Sequence, residues 1–481
     1  MTTTATAVSD QDTPPPAPRR RRGWFGALML RIHFYAGILV GPFILIAALS
    51  GALYAIAPTL EQGIYQRQLH APVTDTRLTL AEQITIAQDH IDGEATLSAV
   101  RPAPEPGDTT RVMFAQEGLG GSETRAVFID PGTGEIRGDE TVYGTSGSLP
   151  FRTWVSNLHR NLNLGEPGRL YSELAASWLG IVVAAGLALW IIRIRKSRTK
   201  KDFIRPTRKH TGYRRVFSWH TSIGIWVALG ALFLSATGIT WSTYAGANVS
   251  DLRTALDWGT PAVNTNLTGE ASGGGDHSHH GGAAAAPTGQ ANPATFDEVL
   301  AIAQRVNVNT GLVQILPPAE PGRAWVVQEI DRGYPTEADA VAIDGTTMQV
   351  VDRVDFANFS LPAKLATWGI AIHMGTMFGI ANQIVMFLLA TGIATMVVLG
   401  YLMWWKRRPA RGGAKVGNPP RHGALDTAPW WGIAIVVAVA IGIGFAFPLI
   451  GFTLAGFVIV DAIVNAIPRR PEREQATAPR G

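Results

Sequence analysis

Between Lys364 and Lys406 the chain runs for 41 residues without a charged side chain. A bilayer core of about 30 Å takes about 20 apolar residues per helix, so a run of this length commits part of the chain to lipid. It is too long for one crossing and reads as an interfacial helix followed by a span. Ile32 to Pro58, Leu174 to Ile192 and Val216 to Trp241 likewise lack Asp, Glu, Lys and Arg. A last run, Ala428 to Pro468, is interrupted only by Asp461, and its break near Pro448 to Gly451 reads as a tight helical hairpin. Charged residues make up 16% of the chain, against roughly 25% in a soluble domain.

Lys and Arg mark the cytoplasmic ends of spans. Arg19 to Arg31 holds five, Arg193 to Arg215 eleven, Lys406 to Arg421 six and Arg469 to Arg480 four. The two long loops, 57–173 and 244–364, carry 15 basic against 30 acidic residues and are expected outside. Six spans with both termini cytoplasmic satisfy this pattern. The Arg19 to Arg22 cluster ahead of a long first span reads as an uncleaved anchor. Since the basic clusters flank spans, no nucleic-acid partner is expected.

The spans repeat. His33-x3-Gly37-x13-Gly51 returns as His220-x3-Gly224-x13-Gly238. Trp154-x4-His159-x5-Gly165-x20-Gly186-x3-Trp190-x2-Arg193 returns as Trp368-x4-His373-x5-Gly379-x20-Gly400-x3-Trp404-x2-Arg407. Such a register points to an internal duplication. The expected fold is an α-helical integral membrane protein whose two-span halves form a four-helix core, with a C-terminal two-helix hairpin and two small outer α+β domains. The expected boundaries are a disordered N-terminus (1–26), a first span (27–56), a first outer domain (57–150) and an interfacial helix with the second span (151–194). A basic loop (195–215), a third span (216–243) and a second outer domain (244–364) with a Gly/His-rich insert (272–286) follow. An interfacial helix with the fourth span (365–405), a cytoplasmic loop (406–427), the hairpin (428–467) and a cytoplasmic tail (468–481) complete the chain.

With no cysteine in the chain, disulfide scaffolds, thiolate zinc sites, iron–sulfur clusters and thioether-attached haem are excluded. Redox or metal chemistry would fall to His, Met or carboxylates. The four repeated histidines sit at span ends: His33 and His220 toward the cytoplasm, His159 and His373 toward the outside. Each leaflet receives one from each half, and two facing imidazoles are the ligand set of a six-coordinate b-type haem iron. Two haem b groups, on His33 with His220 and on His159 with His373, are therefore expected. Gly37 and Gly41 beside His33, and Gly224 and Ala228 beside His220, flatten one helix face where a macrocycle could lie, although Gly37-x3-Gly41 also suits helix packing. Met374 and Met377 are not expected to be ligands, because Arg160 and Asn163 hold those places in the first half. Trp190 and Trp404 read as interfacial anchors, Asp461 as a carboxylate able to snorkel, and His277, His279 and His280 as part of a flexible surface segment.

These residues resemble the PepSY-associated transmembrane proteins, a family that includes bacterial inner-membrane ferric-siderophore reductases. The resemblance covers roughly residues 28 to 408. It is carried by Leu158-His159-Arg160-Asn-Leu-Asn-Leu-Gly165-Glu-Pro-Gly168-Arg169, by Gly186-Leu-Ala-Leu-Trp190 and by Arg215-Val-Phe-Ser-Trp219-His220-x3-Gly224 with Thr237-Gly238. It implies two PepSY-type outer domains, haem b in a bacterial cytoplasmic membrane and, in the reductase members, electrons passed outward to ferric chelates for iron uptake. The four histidines match the family's positions. With no Gly-x-Gly-x-x-Gly, flavin-binding domain or P-loop in the sequence, the donor would be quinol or a separate reductase. A sensory or peptidase-inhibiting membrane protein and a metal or siderophore transporter are competing classes, neither of which needs the four-histidine register.

Overall fold

The computed structural model describes residues 23–91, 95–197, 199–207, 209–267, 291–408, 420 and 423–466. In chain order α1 (Trp24–Leu39), α2 (Gly41–Ile64), α3 (Gln66–Leu69) and α4 (Leu80–His90) precede β1 (Thr96–Arg101), β2 (Thr110–Ala115), β3 (Glu123–Ile129) and β4 (Ile136–Tyr143). Then come α5 (Pro150–Asn161), α6 (Glu166–Lys196), α7 (Gly212–Ile239), α8 (Tyr244–Ala255) and α9 (Ala294–Val306). Strands β5 (Val313–Leu316), β6 (Trp325–Glu329), β7 (Ala340–Ile343) and β8 (Val350–Val354) lead into α10 (Leu361–His373), α11 (Gly379–Lys406), α12 (Trp430–Ala446) and α13 (Pro448–Ala466). Among the described residues α2, α6, α7 and α11 are long and apolar enough to cross a membrane, and the chain is a multi-pass membrane protein.

Helix α2 packs on α11, α11 on α7, α7 on α6, and α6 on both α1 and α2. The α1/α2 rod and α7 therefore lie on one diagonal of a four-membered ring. Small side chains line the contacts: Ala36, Ala48, Ala175, Ala231 and Ala394 are buried there with Ile44, Trp178 and Ile393. Without a hydrophobic force between helices in lipid, such residues permit the close approach that dispersion requires.

The first span, expected over 27–56, runs from Trp24 to Ile64 with a break at Val40. The break has a local cause. Pro42 has no N–H to give to the Ile38 carbonyl, and Tyr401 on α11 supplies the missing donor through its hydroxyl at 2.5 Å. The third span likewise starts earlier than expected, at Gly212, and ends at Ile239. Helix α8, which follows it, had no signal in the apolar pattern. Its N-terminal N–H groups at Tyr244 and Ala245 donate to the buried Glu173 carboxylate at 2.9 and 3.0 Å.

The two segments expected as separate small domains share one sheet. Its order is β4-β3-β2-β1-β5-β6-β7-β8, all antiparallel, and β1 meets β5 at Val100 and Ile315. Each inner edge strand would otherwise leave a row of backbone groups unpaired. Helices α4 and α9 cover one face, where Ile84, Val100, Phe114, Phe296, Ile315 and Ile343 are fully buried; each such side chain contributes roughly 1.5–3 kcal/mol. Asp297 of α9 accepts from the Leu80 and Ala81 N–H groups at 2.9 and 3.0 Å, so one helix caps the other. The opposite face, with Met113, Phe128 and Leu149, meets Tyr65 and Leu69 at the end of the bundle.

Helices α12 and α13 form the expected hairpin, turning at Phe447, where Gly444 and Gly451 bring the backbones together. Both are short for a span. The hairpin docks on α6 through Trp178 Nε1 to Thr453 Oγ1 at 3.0 Å, and on α8 through Asn248 to the Phe445 carbonyl. The side chain of Asp461 and the His277, His279 and His280 segment lie outside the described residues.

Candidate functional site

The diagonal of the ring brings His33 of α1 to His220 of α7. Their ring centroids are 6.1 Å apart with planes at 75°. His33 Nδ1 donates to the Val182 carbonyl of α6 at 2.8 Å. A carbonyl can only accept, so the proton sits on Nδ1 and Nε2 keeps a free lone pair. Gly186 makes the approach possible: a Cβ there would stand 3.0 Å from His33 Cε1. His220 departs from this arrangement. His220 Nδ1 faces the backbone of Met396, the positional counterpart of Val182, yet makes no hydrogen bond of normal geometry. Gly400, the counterpart of Gly186, opens on empty space, as does Gly37.

At the sheet end of the bundle His159 and His373 close the short helices α5 and α10. Helix α5 lies against α2 and α6, and α10 against α7. The two imidazoles are near enough to interact electrostatically. Ser50 donates its hydroxyl to the Ile46 carbonyl at 2.8 Å and so accepts from His159 Nδ1 at 3.1 Å. Thr237 stands likewise to His373: its hydroxyl donates to the Phe233 carbonyl at 2.8 Å and lies 2.6 Å from His373 Nδ1. Each hydroxyl engages Nδ1, so the Nδ1–H tautomer leaves Nε2 available, the arrangement that orients metal-bound histidines.

The residue after each hydroxyl is a repeat glycine. A Cβ on Gly51 would lie 3.0 Å from His159 Cε1, and one on Gly238 3.9 Å from His373 Cε1. Sequence reasoning assigned Gly37, Gly41, Gly224 and Ala228 to the imidazole neighbourhood, but Gly41 faces Tyr401 and Gly224 faces the Met396 methyl. The missed signal was the pair Ser50-Gly51 and Thr237-Gly238, visible in the repeat once the hydroxyl is included.

His33 and His220 thereby face each other, and His159 and His373 lie within electrostatic reach of one another. Eighteen residues separate His33 from Gly51, at most about 27 Å of helical rise across the break at Val40. Met374 Sδ stands 3.8 Å from Arg332 Nη1, and Met377 is buried in the turn after α10. Trp190 and Trp404 are more than anchors. Trp190 donates to the Phe203 carbonyl at 3.3 Å, and Trp404 packs edge-on to Phe34 at 6.3 Å.

The sequence profile described as PepSY-associated TM region matches residues 30–407. The interval contains all four histidines and both hydroxyl-glycine pairs. No curated protein matches the chain.

Proposed function

The chain belongs to the PepSY-associated transmembrane family, and on that premise we propose that it is a di-haem b electron-transfer protein of a bacterial cytoplasmic membrane. In this reading the chain consists of two equivalent halves, and the sheet carries two PepSY-type units on the outer side. His33 and His220 would hold the cytoplasmic-side haem, His159 and His373 the outer one.

The observation that supports the reading is His33 facing His220 at 6.1 Å, with three of the four histidines hydrogen-bonded through Nδ1, the nitrogen that leaves Nε2 for a metal. The donor set fits the group. Two imidazoles sharing one metal atom through bonds of about 2.0–2.1 Å have centroids about 6 Å apart, and His33 and His220 stand at 6.1 Å. The orphaned Nδ1 of His220 belongs to this pair. When bound, haem would supply one-electron redox chemistry. The protein's part is to fix the tautomers, keep water from the ligands and set the two sites about a bilayer's thickness apart.

Electrons would enter on the cytoplasmic side from quinol or a separate reductase and leave toward a ferric chelate such as a ferric siderophore outside, making the chain a haem-dependent metalloreductase of iron uptake. The test is a reduced-minus-oxidised absorbance spectrum of the purified protein with its haem-to-protein ratio. Two low-spin b-type haems per chain are expected. A ratio near zero would move the chain to the sensor or transporter classes.

A further inference from the structure

Where the sheet meets the bundle, four guanidinium groups converge. Arg101 on β1 and Arg111 on β2 are directly opposed in the ladder, a placement in which like charges repel. Arg152 comes from α5 and Arg332 from the loop after β6. Arg101 and Arg152 are buried, Arg111 and Arg332 half-buried.

The loop Thr145–Gly147 gathers three of them. Arg101 donates to the Thr145 carbonyl at 2.9 Å and to Gln314 Oε1 at 2.9 Å; Arg111 donates to the Gly147 carbonyl at 3.2 Å; Arg332 donates to Thr145 Oγ1 at 2.9 Å. Gly147 at φ 58° lets the loop come this close, since a Cβ would stand 3.0 Å from Arg111 Nη1 and closer still to Arg101 Nη1.

Negative charge is scarce. Glu61 pairs with Arg152 at 3.7 Å, while Asp108, the other carboxylate acting on Arg111, is bonded to His70 at 3.0 Å. Arg152 Nε and Nη2 are buried without a hydrogen-bond partner. Burial, with Arg111 and Arg332 alongside, pulls Arg101 down to about 9, and burial lowers Arg111 and Arg332 as well. Arg152, buried too, is held up instead by Tyr54 and Glu61; since a guanidinium does not give up its proton in a protein, it is Arg101, Arg111 and Arg332 that are short of anions.

We propose that Arg101, Arg111, Arg152 and Arg332 form a binding site for a ligand bearing two or more carboxylates. Planar carboxylates take paired N–H donors from guanidinium, and Arg152 has two to spare. The site adjoins the sheet-side histidines. Arg332 touches Met374, the residue after His373, and Arg152 lies 5.9 Å from the Tyr54 ring, which stacks at 6.4 Å on His159. The carboxylates can come from a tetrapyrrole bound at His159 and His373, a source that rests on the haem reading above, or from a free polycarboxylate on the outer side.

The experiment uses the full-length chain purified without haem, in a His220→Ala background that leaves the sheet-side pair intact. Ferric protoporphyrin IX and its dimethyl ester are titrated, and citrate is tested by its effect on the unfolding temperature. If the tetrapyrrole is the source, the free acid binds at least about tenfold more tightly than the ester, as expected for charge-assisted bonds, and Arg332→Gln erases most of that ratio. If the ligand is free, acid and ester bind alike, and citrate raises the unfolding temperature of the wild type but not of Arg332→Gln. Equal binding of acid and ester with no citrate effect overturns the proposal while leaving the haem reading standing. If neither porphyrin binds, the haem reading fails and the citrate arm alone decides. The comparison of acid with ester needs no arginine variant, so a misfolded variant cannot mask the result.

Discussion

His33 and His220 are carried by α1 and α7, diagonal members of the bundle, whereas His159 and His373 ride on the short helices α5 and α10 and lean on their neighbours' hydroxyls. A backbone carbonyl fixes the His33 ring; Ser50 and Thr237 fix the other two. The far pair is therefore set by helix packing and by the absence of a side chain at Gly186. The sheet-side pair is set by replaceable side chains, which makes it the more tunable of the two. It is also the pair that borders the sheet and its arginines.

The largest effect is expected from filling the glycines. Gly186→Leu should displace His33 and cost the far-side haem alone, while Gly51→Leu should displace His159 and cost the sheet-side haem alone. Haem-to-protein ratios should fall by half in each. Alanine grades the effect: a Cβ at Gly51 or Gly186 asks the imidazole to give by a few tenths of an ångström, and one at Gly238 asks nothing of His373. Loss of both haems from either leucine variant would mean that the two sites are not independent.

A smaller effect is expected from the hydroxyls. Ser50→Ala and Thr237→Val remove the acceptor that holds each Nδ1–H, and such outer partners are worth about 10–100-fold in metal-site affinity. Haem retention under competition by apomyoglobin should weaken at the sheet-side site in both variants and stay unchanged at the far side. Thr237→Ser should restore it. Equal weakening at both sites would contradict the division of labour described here.

The smallest expected effect is at the sheet's rim. Burial pushes the Asp139 carboxyl up, but hydrogen bonds and charge from Arg125, with His90 beside it, outweigh this and hold it below the usual aspartate range. A carboxylate lowered on folding contributes stability above its unfolded pKa and loses it as pH falls through the folded value. Asp139→Asn should thus lower the unfolding temperature at neutral pH, by a loss of at most about 1 kcal/mol for a partly exposed pair, and the difference from wild type should vanish in acid. Both haems should be retained. A haem lost from this variant would tie the sheet's edge to the sites.

Much of this arrangement was legible in the residues. The apolar runs located the four long helices, and the repeated His-x3-Gly register picked out His33 and His220, which the fold brings together. Other features left no local trace. The break at Val40 depends on Pro42 meeting Tyr401, 359 positions away in the chain. The joining of two sheets depends on a β1 and β5 edge match that no window contains. Arg101, Arg111, Arg152 and Arg332 are scattered among the 15 basic residues of the two long loops, and only the fold brings them together. Helix α8 is capped by Glu173, from a different span, so its start carried none of the usual nearby signals.

Pairing of His33 with His220 and of His159 with His373 is tested by a series of single and double variants. Haem content and the low-spin spectral components are measured in His33→Ala, His220→Ala, His159→Ala and His373→Ala, and in the doubles. Ligands of one iron act as a unit, so losses within a pair are non-additive. His33→Ala with His220→Ala should lose little more than either alone, and His33→Ala with His159→Ala should lose both haems. If His33→Ala and His159→Ala instead remove the same component, and His220→Ala removes the other, the ligands pair within halves and the account is wrong.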